Sequence, residues 1–440
     1  MLTKHAEPTT DAVSATNEDI RAYAWLVFAL TTGLLLSDYM SRQVLNAVFP
    51  LLKSAWSLSD TRLGSLSSVV ALMVGILTFP LSVLADRWGR VKSIILMAAM
   101  WSLATLGCAV STSYGEMMLA RALVGFGEAA YGSVGAAVVL SIFPVRLRST
   151  LTASFMAGGA FGSVLGMALG GVVAAHLGWR AAFGSMSGLG IVLVIVYRFV
   201  VTEKRLAPMQ QASLARAAKV PGVRTSFGTL MKGLFATKSV ICAYIGSGCH
   251  LLVPAAVWAW MPSFLNRYYG MPTDKAAMTG AVFVLVTGVG MVVCGNLADR
   301  LSNNSREKKW ATAITFCLVC FALLAIGFQM PAGPIQLMVI GCGMFFCAGA
   351  SGPSGAMVAN LTPPSIHASA FATLTLANNL LGLAPAAVLT GAVADRIGLV
   401  GALQLVPFAS LIAATAFFIG KRSYGDDLDH LDALRGQAAG

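Results

Sequence analysis

The stretch Leu84-Ala85-Asp86-Arg87-Trp88-Gly89-Arg90-Val91-Lys92 decides the reading of this chain. It sets three basic side chains and one acidic one between two apolar runs, 62–84 and 91–110. A helix crosses a bilayer with about 20 mostly apolar residues, so each run is long enough to do so. The core of the link returns as Leu297-Ala298-Asp299-Arg300, again at the end of an apolar run. The chain therefore carries the same pair of spanning helix and charged turn twice.

Working outward, twelve apolar segments can be marked, near 23–49, 62–84, 91–110, 116–143, 149–175, 181–200, 238–265, 276–298, 310–329, 334–361, 367–393 and 399–420. The chain is 57% hydrophobic and 11% charged, whereas a soluble domain is about a quarter charged. So few charges cannot cover a water-facing surface, and lipid is the expected solvent. The net charge of +12 is not the footprint of a nucleic-acid binder, because the basic residues sit in short links between apolar runs. They gather on one side: Arg87, Arg90, Lys92, Arg146, Arg148, Arg300, Arg306, Lys308 and Lys309, with the basic residues of 204–238. The other side carries little, chiefly Lys53, Arg62, Arg180, Arg267, Lys275 and Arg396. An excess of Lys and Arg marks the cytoplasmic side, so both termini are expected in the cytosol.

The polar stretch 201–237 divides the chain into six spans and six spans: a bundle over 22–200 and a second over 238–420, with cytosolic tails at 1–21 and 421–440. The first tail lacks the basic and apolar regions of a cleavable signal and is expected to be disordered. A second repeat supports the division. Gly171-Val172-Val173-Ala174 with Gly178 returns as Gly391-Ala392-Val393-Ala394 with Gly398, each ending the fifth span of its half. The eight cysteines lie in apolar segments without disulfide or zinc spacing, Cys317 and Cys320 included, and no metal or cofactor is expected.

The 84–92 run resembles the signature loop between helices two and three of the major facilitator superfamily; Ser82 stands where the usual form has Gly. A finer resemblance is to the spinster-like branch, and in part to neighbouring organic-anion:proton symporters. It rests on Asp38-Tyr39-Met40-Ser41-Arg42-Gln43, on Arg121-Ala122-Leu123-Val124-Gly125-Phe126-Gly127-Glu128-Ala129, on Trp260-Met261-Pro262-Ser263-Phe264-Leu265 with Arg267, Tyr269 and Gly270, and on Asn379-Leu380-Leu381-Gly382-Leu383 with Pro385 and Gly391. Spinster-like proteins usually show an acidic residue before the helix-one arginine, where this chain has Ser41. The resemblance implies an all-α membrane protein of twelve helices in two six-helix bundles, working as a monomer by alternating access. It implies a multi-pass protein of the bacterial inner membrane. It also implies that helices one and four line the cavity, with the matching acids Asp38 and Glu128 in proton coupling. Finally it implies a cytoplasmic gate built from Asp86, Arg87, Gly89 and Arg90, echoed by Asp299 and Arg300.

Charges inside a membrane are expensive and so point to function. At 1.5 Å rise per residue, Arg42 lies roughly 10 Å and Asp38 roughly 16 Å below one end of span one. Arg121 lies roughly 8 Å and Glu128 roughly 18 Å below the same end of span four. Four- and seven-residue spacings put each pair on one helix face. Desolvation favours a neutral carboxyl and a nearby arginine favours a charged one, so a carboxyl between those influences can load and release a proton. The arginine fork suits a carboxylate, sulfonate or phosphate, so Arg42 and Arg121 are expected to meet an anionic substrate. The bland alternative is that Asp38 neutralises Arg42, and Glu128 neutralises Arg121, with no further role.

Further substrate contacts are expected from Tyr39, Tyr131, His250, Asn378 and Asn379, each weighed against ordinary packing. Gly158, Gly162, Gly166 and Gly170 form a stripe on span five that allows close helix approach and a sliding surface. Drug antiporters of the superfamily have Pro after one of these glycines, where this chain has Met167. The expected function is proton-coupled uptake of a small organic anion by symport. The rivals are export of amphiphilic, lysolipid-like or drug-like molecules by proton antiport, and a membrane receptor that no longer transports. No phosphate-binding loop, metal cluster or nucleophile elbow suggests an enzyme. The expected partners are the substrate, protons and the bilayer, with no nucleic acid.

Overall fold

The computed structural model describes residues 10–206, 233–302, 307–363 and 366–439. Most of the expected central stretch and Met1 to Thr9 lie outside the described residues, as does the side chain of Asp86. The chain is an all-helical integral membrane protein. Among the described residues ten continuous helices are long and apolar enough to cross a membrane. Two of these continue through a sharp break. Val145–Val200 carries Gly178 at φ 84°, ψ 162°, and Ala384–Leu405 carries Gly398 at φ 82°, ψ 160°. Only glycine adopts that backbone readily. Counting the pieces on either side of each break is consistent with the twelve expected spans. The two glycines are the ends of the second sequence repeat, so the repeat encodes one and the same turn in both halves.

Two other spans are interrupted in matching places. Span four is Tyr114–Glu128 followed, after two turn residues, by Tyr131–Ile142. Span ten is Pro334–Cys347 followed, after three, by Ser351–Leu361. Span eleven runs from His367–Ala377 into a π-helical turn, Asn378–Leu383. Such interruptions persist in membranes where they line a cavity, because elsewhere the loosened backbone would lack partners.

The first helix begins at Thr10, inside the stretch expected to be a disordered tail, and the last, Phe408–Ala439, runs through the second expected tail. The second extension has visible anchors. Tyr424 packs its ring 5.6 Å from that of Trp310, and Asp427 Oδ2 accepts the Ser239 N–H at 2.8 Å, capping the start of span seven.

The glycine stripe of span five packs within its own half. A Cβ on Gly162 or Gly166 would strike the span-one backbone at Leu36 and Met40, and one on Gly158 or Gly170 would meet Thr32 and Val44. The stripe thus seats span five on span one rather than sliding against the other half. Its neighbour Gly171 does face the other half, at Ala277, and Met167 lies against Gly280.

Contacts between the halves gather at one end, opposite the basic links. Phe49 meets Trp260 with ring centroids 5.2 Å apart. Helices two and eleven close together through Gly391 against Asp60, Gly64 against Ala387, the Val388 N–H to Ser68 Oγ at 3.1 Å, and Gly75 against Asn379. That last contact lies about 22 Å along helix two. Beyond it Phe79 is 67% exposed. Among the described residues the halves are tied at the Lys53 end and untied at the Arg87 end.

Candidate functional site

Span one brings Asp38 and Arg42 toward Glu128 of span four, while the Tyr39 ring lies against Gly159 of span five. Arg42 donates from Nε at 3.0 Å and from Nη2 at 2.5 Å to Glu128 Oε2, while its guanidinium lies 5.5 Å from the Tyr39 ring centroid. Glu128 is the last residue before the break in span four, so the acid sits where the helix is interrupted. Asp38 sits beside Glu128 and within the fields of both arginines, and its Oδ1 has no hydrogen-bond partner among the described residues. Arg121 is fully buried and donates at 3.3 Å to the carbonyls of Leu66 and Ser41. The expected quartet therefore meets in one group. Its pairing differs from the bland alternative: Arg42 takes Glu128 across two helices, and Arg121 is held by backbone. The Arg42 side chain keeps 21% of its surface open, whereas that of Glu128 keeps none.

The group contains two carboxyls and two guanidiniums, so it is neutral when all four are charged. Any added charge in a medium of low dielectric must be matched, because an unpaired buried ion is strongly unfavourable.

The other expected contacts separate into two sets. Tyr131 Oη donates to the Thr31 carbonyl at 2.6 Å and its ring packs edge-on against Trp101, so it holds span four to span one. His250 is buried, with Nδ1 3.5 Å from Cys317 Sγ and 3.4 Å from Ser410 Oγ, while Nε2 has no partner among the described residues. Asn378 Oδ1 accepts from Ser247 Oγ at 2.8 Å, and a cavity of about 20 Å³ lies among Ser247, His250, Ser354 and Asn378. Asn379 Nδ2 donates to the Thr375 carbonyl at 2.9 Å, and its side chain lies against Gly75 of helix two. Thus His250 and Asn378 share a small polar recess in the second half, and Asn379 sits on the seam.

At the basic end, Gly89 has φ 96°, and a Cβ there would press on Glu203 Oε1 at 2.6 Å. That carboxylate accepts the Val91 N–H at 3.2 Å, capping helix three. Arg90 Nη1 reaches the Ala137 carbonyl at 3.4 Å, and Arg87 is exposed. Asp299 and Arg300 are exposed, with Lys309 Nζ 3.9 Å from Asp299. In this open arrangement these contacts stay within each half.

Sequence reasoning missed the charges at the closed end. Asp60 receives Lys53 Nζ at 2.6 Å and both Arg267 Nη atoms at 2.8 Å, and Asp395 accepts the N–H groups of Asp60 at 2.7 Å and Thr61 at 2.9 Å. The available signal was the presence of acids on a side almost bare of charge.

The sequence pattern of the Major Facilitator Superfamily matches residues 31–385. The chain is similar to a probable 4-methylmuconolactone transporter of Cupriavidus pinatubonensis, at 23% identity over 83% of each chain. It is similar to a gallate transporter of Pseudomonas putida, at 25% identity over 80% of this chain and 82% of the relative. Its fold is similar to a bacterial homologue of the human lysosomal transporter spinster, solved inward-facing and unoccupied. The TM-score is 0.81 at 18% identity, covering 92% of this chain and 98% of that one.

Proposed function

We propose that this chain, which belongs to the Major Facilitator Superfamily, takes up a small organic anion together with a proton by alternating access between its two six-helix halves. The hold of Arg42 Nε and Nη2 on the single Glu128 oxygen Oε2, with Asp38 beside it, carries the reading. While Glu128 is charged it occupies the Arg42 fork. Protonation weakens that hold, and a substrate carboxylate takes the fork with the total charge unchanged. When the proton leaves, Glu128 reclaims Arg42 and the anion is expelled. Asp38 stores the second proton position, and Arg121 fixes the backbones of spans one and two behind the site. His250, Asn378 and Asn379 meet the uncharged part of the substrate.

By the positive-inside rule the open, basic end faces the cytosol, so this conformation is the one that releases substrate inward. The halves follow the division at 201–237, and the charges from Asp86 to Arg90, with Asp299 and Arg300, close the cytosolic end in the opposite state. One protomer contains the whole group, so a monomer suffices. The two relatives named for 4-methylmuconolactone and gallate support an organic cargo.

The test is reconstitution in liposomes with an inward proton gradient and a panel of organic anions, gallate among them. Wild type is expected to accumulate at least one anion and to lose accumulation when a protonophore is added. Glu128→Gln should still exchange that anion across the membrane but not concentrate it. Movement of lysolipids with no anion flux would replace this reading with the exporter. Binding without any flux would replace it with a receptor.

A further inference from the structure

At the closed end, spans one, two and seven and the turn at 394–400 line a cavity of about 340 Å³ that includes Lys53, Asp60, Phe264, Arg267 and Tyr268. Its charges are unequally matched. Two cations, Lys53 and Arg267, converge on one carboxylate, Asp60, whose side chain is only 5% exposed, while theirs keep 37% and 27% open. The other acid at this end, Asp395, is already held by backbone N–H groups of Asp60 and Thr61 and by the Thr61 hydroxyl, at the positive end of helix two. Tyr268, 39% exposed, stacks on the buried Phe264 with ring centroids 5.2 Å apart, so its ring is fixed as a flat wall beside the cations.

Arg267 grips Asp60 as it would grip a free carboxylate, with Nη1 on Oδ2 and Nη2 on Oδ1, both at 2.8 Å. Asp60 and Lys53 belong to the first half and Arg267 to the second, so this fork is also a tie between the halves. We propose that Lys53 and Arg267 form an external docking site for a small carboxylate with a flat apolar body, and that Asp60 holds its place while this end is shut. An arriving carboxylate exchanges with Asp60 on the Arg267 fork, one anion for another, so no arginine is left unpaired. The displaced Asp60 remains at the start of helix two, where a negative charge is favoured. The exchange cuts the tie, and occupation of the site thereby opens this end. The site precedes the Arg42 group on the path inward. It deepens the uptake reading and rests on that reading's anionic cargo.

The site as proposed reads a carboxylate and a flat wall, so benzoate serves as probe whatever the cargo. Hydrogen–deuterium exchange of the full chain in nanodiscs, with and without benzoate, tests it. In wild type, benzoate should raise exchange at 57–66 and 384–398 and lower it at 80–92 and 295–302, the signature of one end opening as the other shuts. Lys53→Gln should need about tenfold more benzoate for the same response, the loss expected from one charge-assisted contact. Asp60→Asn should show the open pattern without benzoate. Arg267→Gln should abolish the response, and Arg267→Lys, which keeps the charge but not the fork, should leave a weakened one if Arg267→Gln fails to fold. Wild type unmoved by benzoate overturns the proposal, even if Asp60→Asn opens, because Asp60–Arg267 is then a tie and nothing more. An unchanged benzoate response in Lys53→Gln overturns it too. Liposome flux decides the transport reading separately: a benzoate response with no coupled flux of any anion would fail that reading and leave the docking site standing.

Discussion

Arg42 reaches Glu128 across two helices while Arg121 rests on two backbone carbonyls, and that difference decides what each arginine can do. Asp38, Arg42, Arg121 and Glu128 stand out in sequence because a charge within an apolar run needs a reason. Which arginine meets which acid depends on how two helices are rotated about their axes, and spacing within one helix carries no such information. The structure gives Arg42 to Glu128 and leaves Arg121 to the carbonyls of Leu66 and Ser41. This pairing has a measurable consequence. Arg42→Gln leaves a buried carboxylate without its cation and should destabilise the protein by ~3–5 kcal/mol. Arg42→Gln combined with Glu128→Gln removes both charges and should recover most of that stability while transport stays abolished. Thermal unfolding beside anion uptake checks this. If the double variant is as unstable as the single one, the pair does not account for the loss.

At the scale of elements, the repeats announced matching helices but not the breaks inside them. Gly178 and Gly398 were visible as repeated glycines, yet a glycine inside an apolar run is as often a packing residue as a turn. Only the positive φ distinguishes them. The stripe on span five shows the converse: spacing revealed close approach, but the partner is span one of the same half. Glycines at the two kinds of place should respond differently. Gly178→Ala has open space around it and should cost about 1–3 kcal/mol of backbone strain, with the transport rate little changed. Gly64→Ala and Gly391→Ala put a methyl against the Ala387 and Asp60 carbonyls across the seam. They should hold the Lys53 end ajar and slow transport severely without lowering the melting temperature of the protein. Full transport by both variants would show that the seam does not close this tightly during the cycle.

At the scale of the whole molecule, the membrane class could be read from composition, and the family from the charged link 84–92 and the repeats. The conformation could not, because sequence is common to every state of the cycle. Charge balance across the Arg42 group predicts how the states are coupled to pH. Lowering external pH at fixed internal pH should raise uptake of the anion, and equalising pH with a protonophore should leave exchange but stop accumulation. Uptake that is indifferent to external pH would mean that the carboxyls do not exchange protons during turnover.

The ties between the halves at Arg267, Gly64 and Gly75 are gathered toward one leaflet. In the proposed cycle, moving those ties to the other leaflet shifts lipid area between leaflets and does work against the lateral pressure of the acyl chains. Lipid shape then becomes a determinant of speed. Replacing phosphatidylethanolamine with phosphatidylcholine in the liposomes should change the maximal rate and leave the KM for substrate where it was.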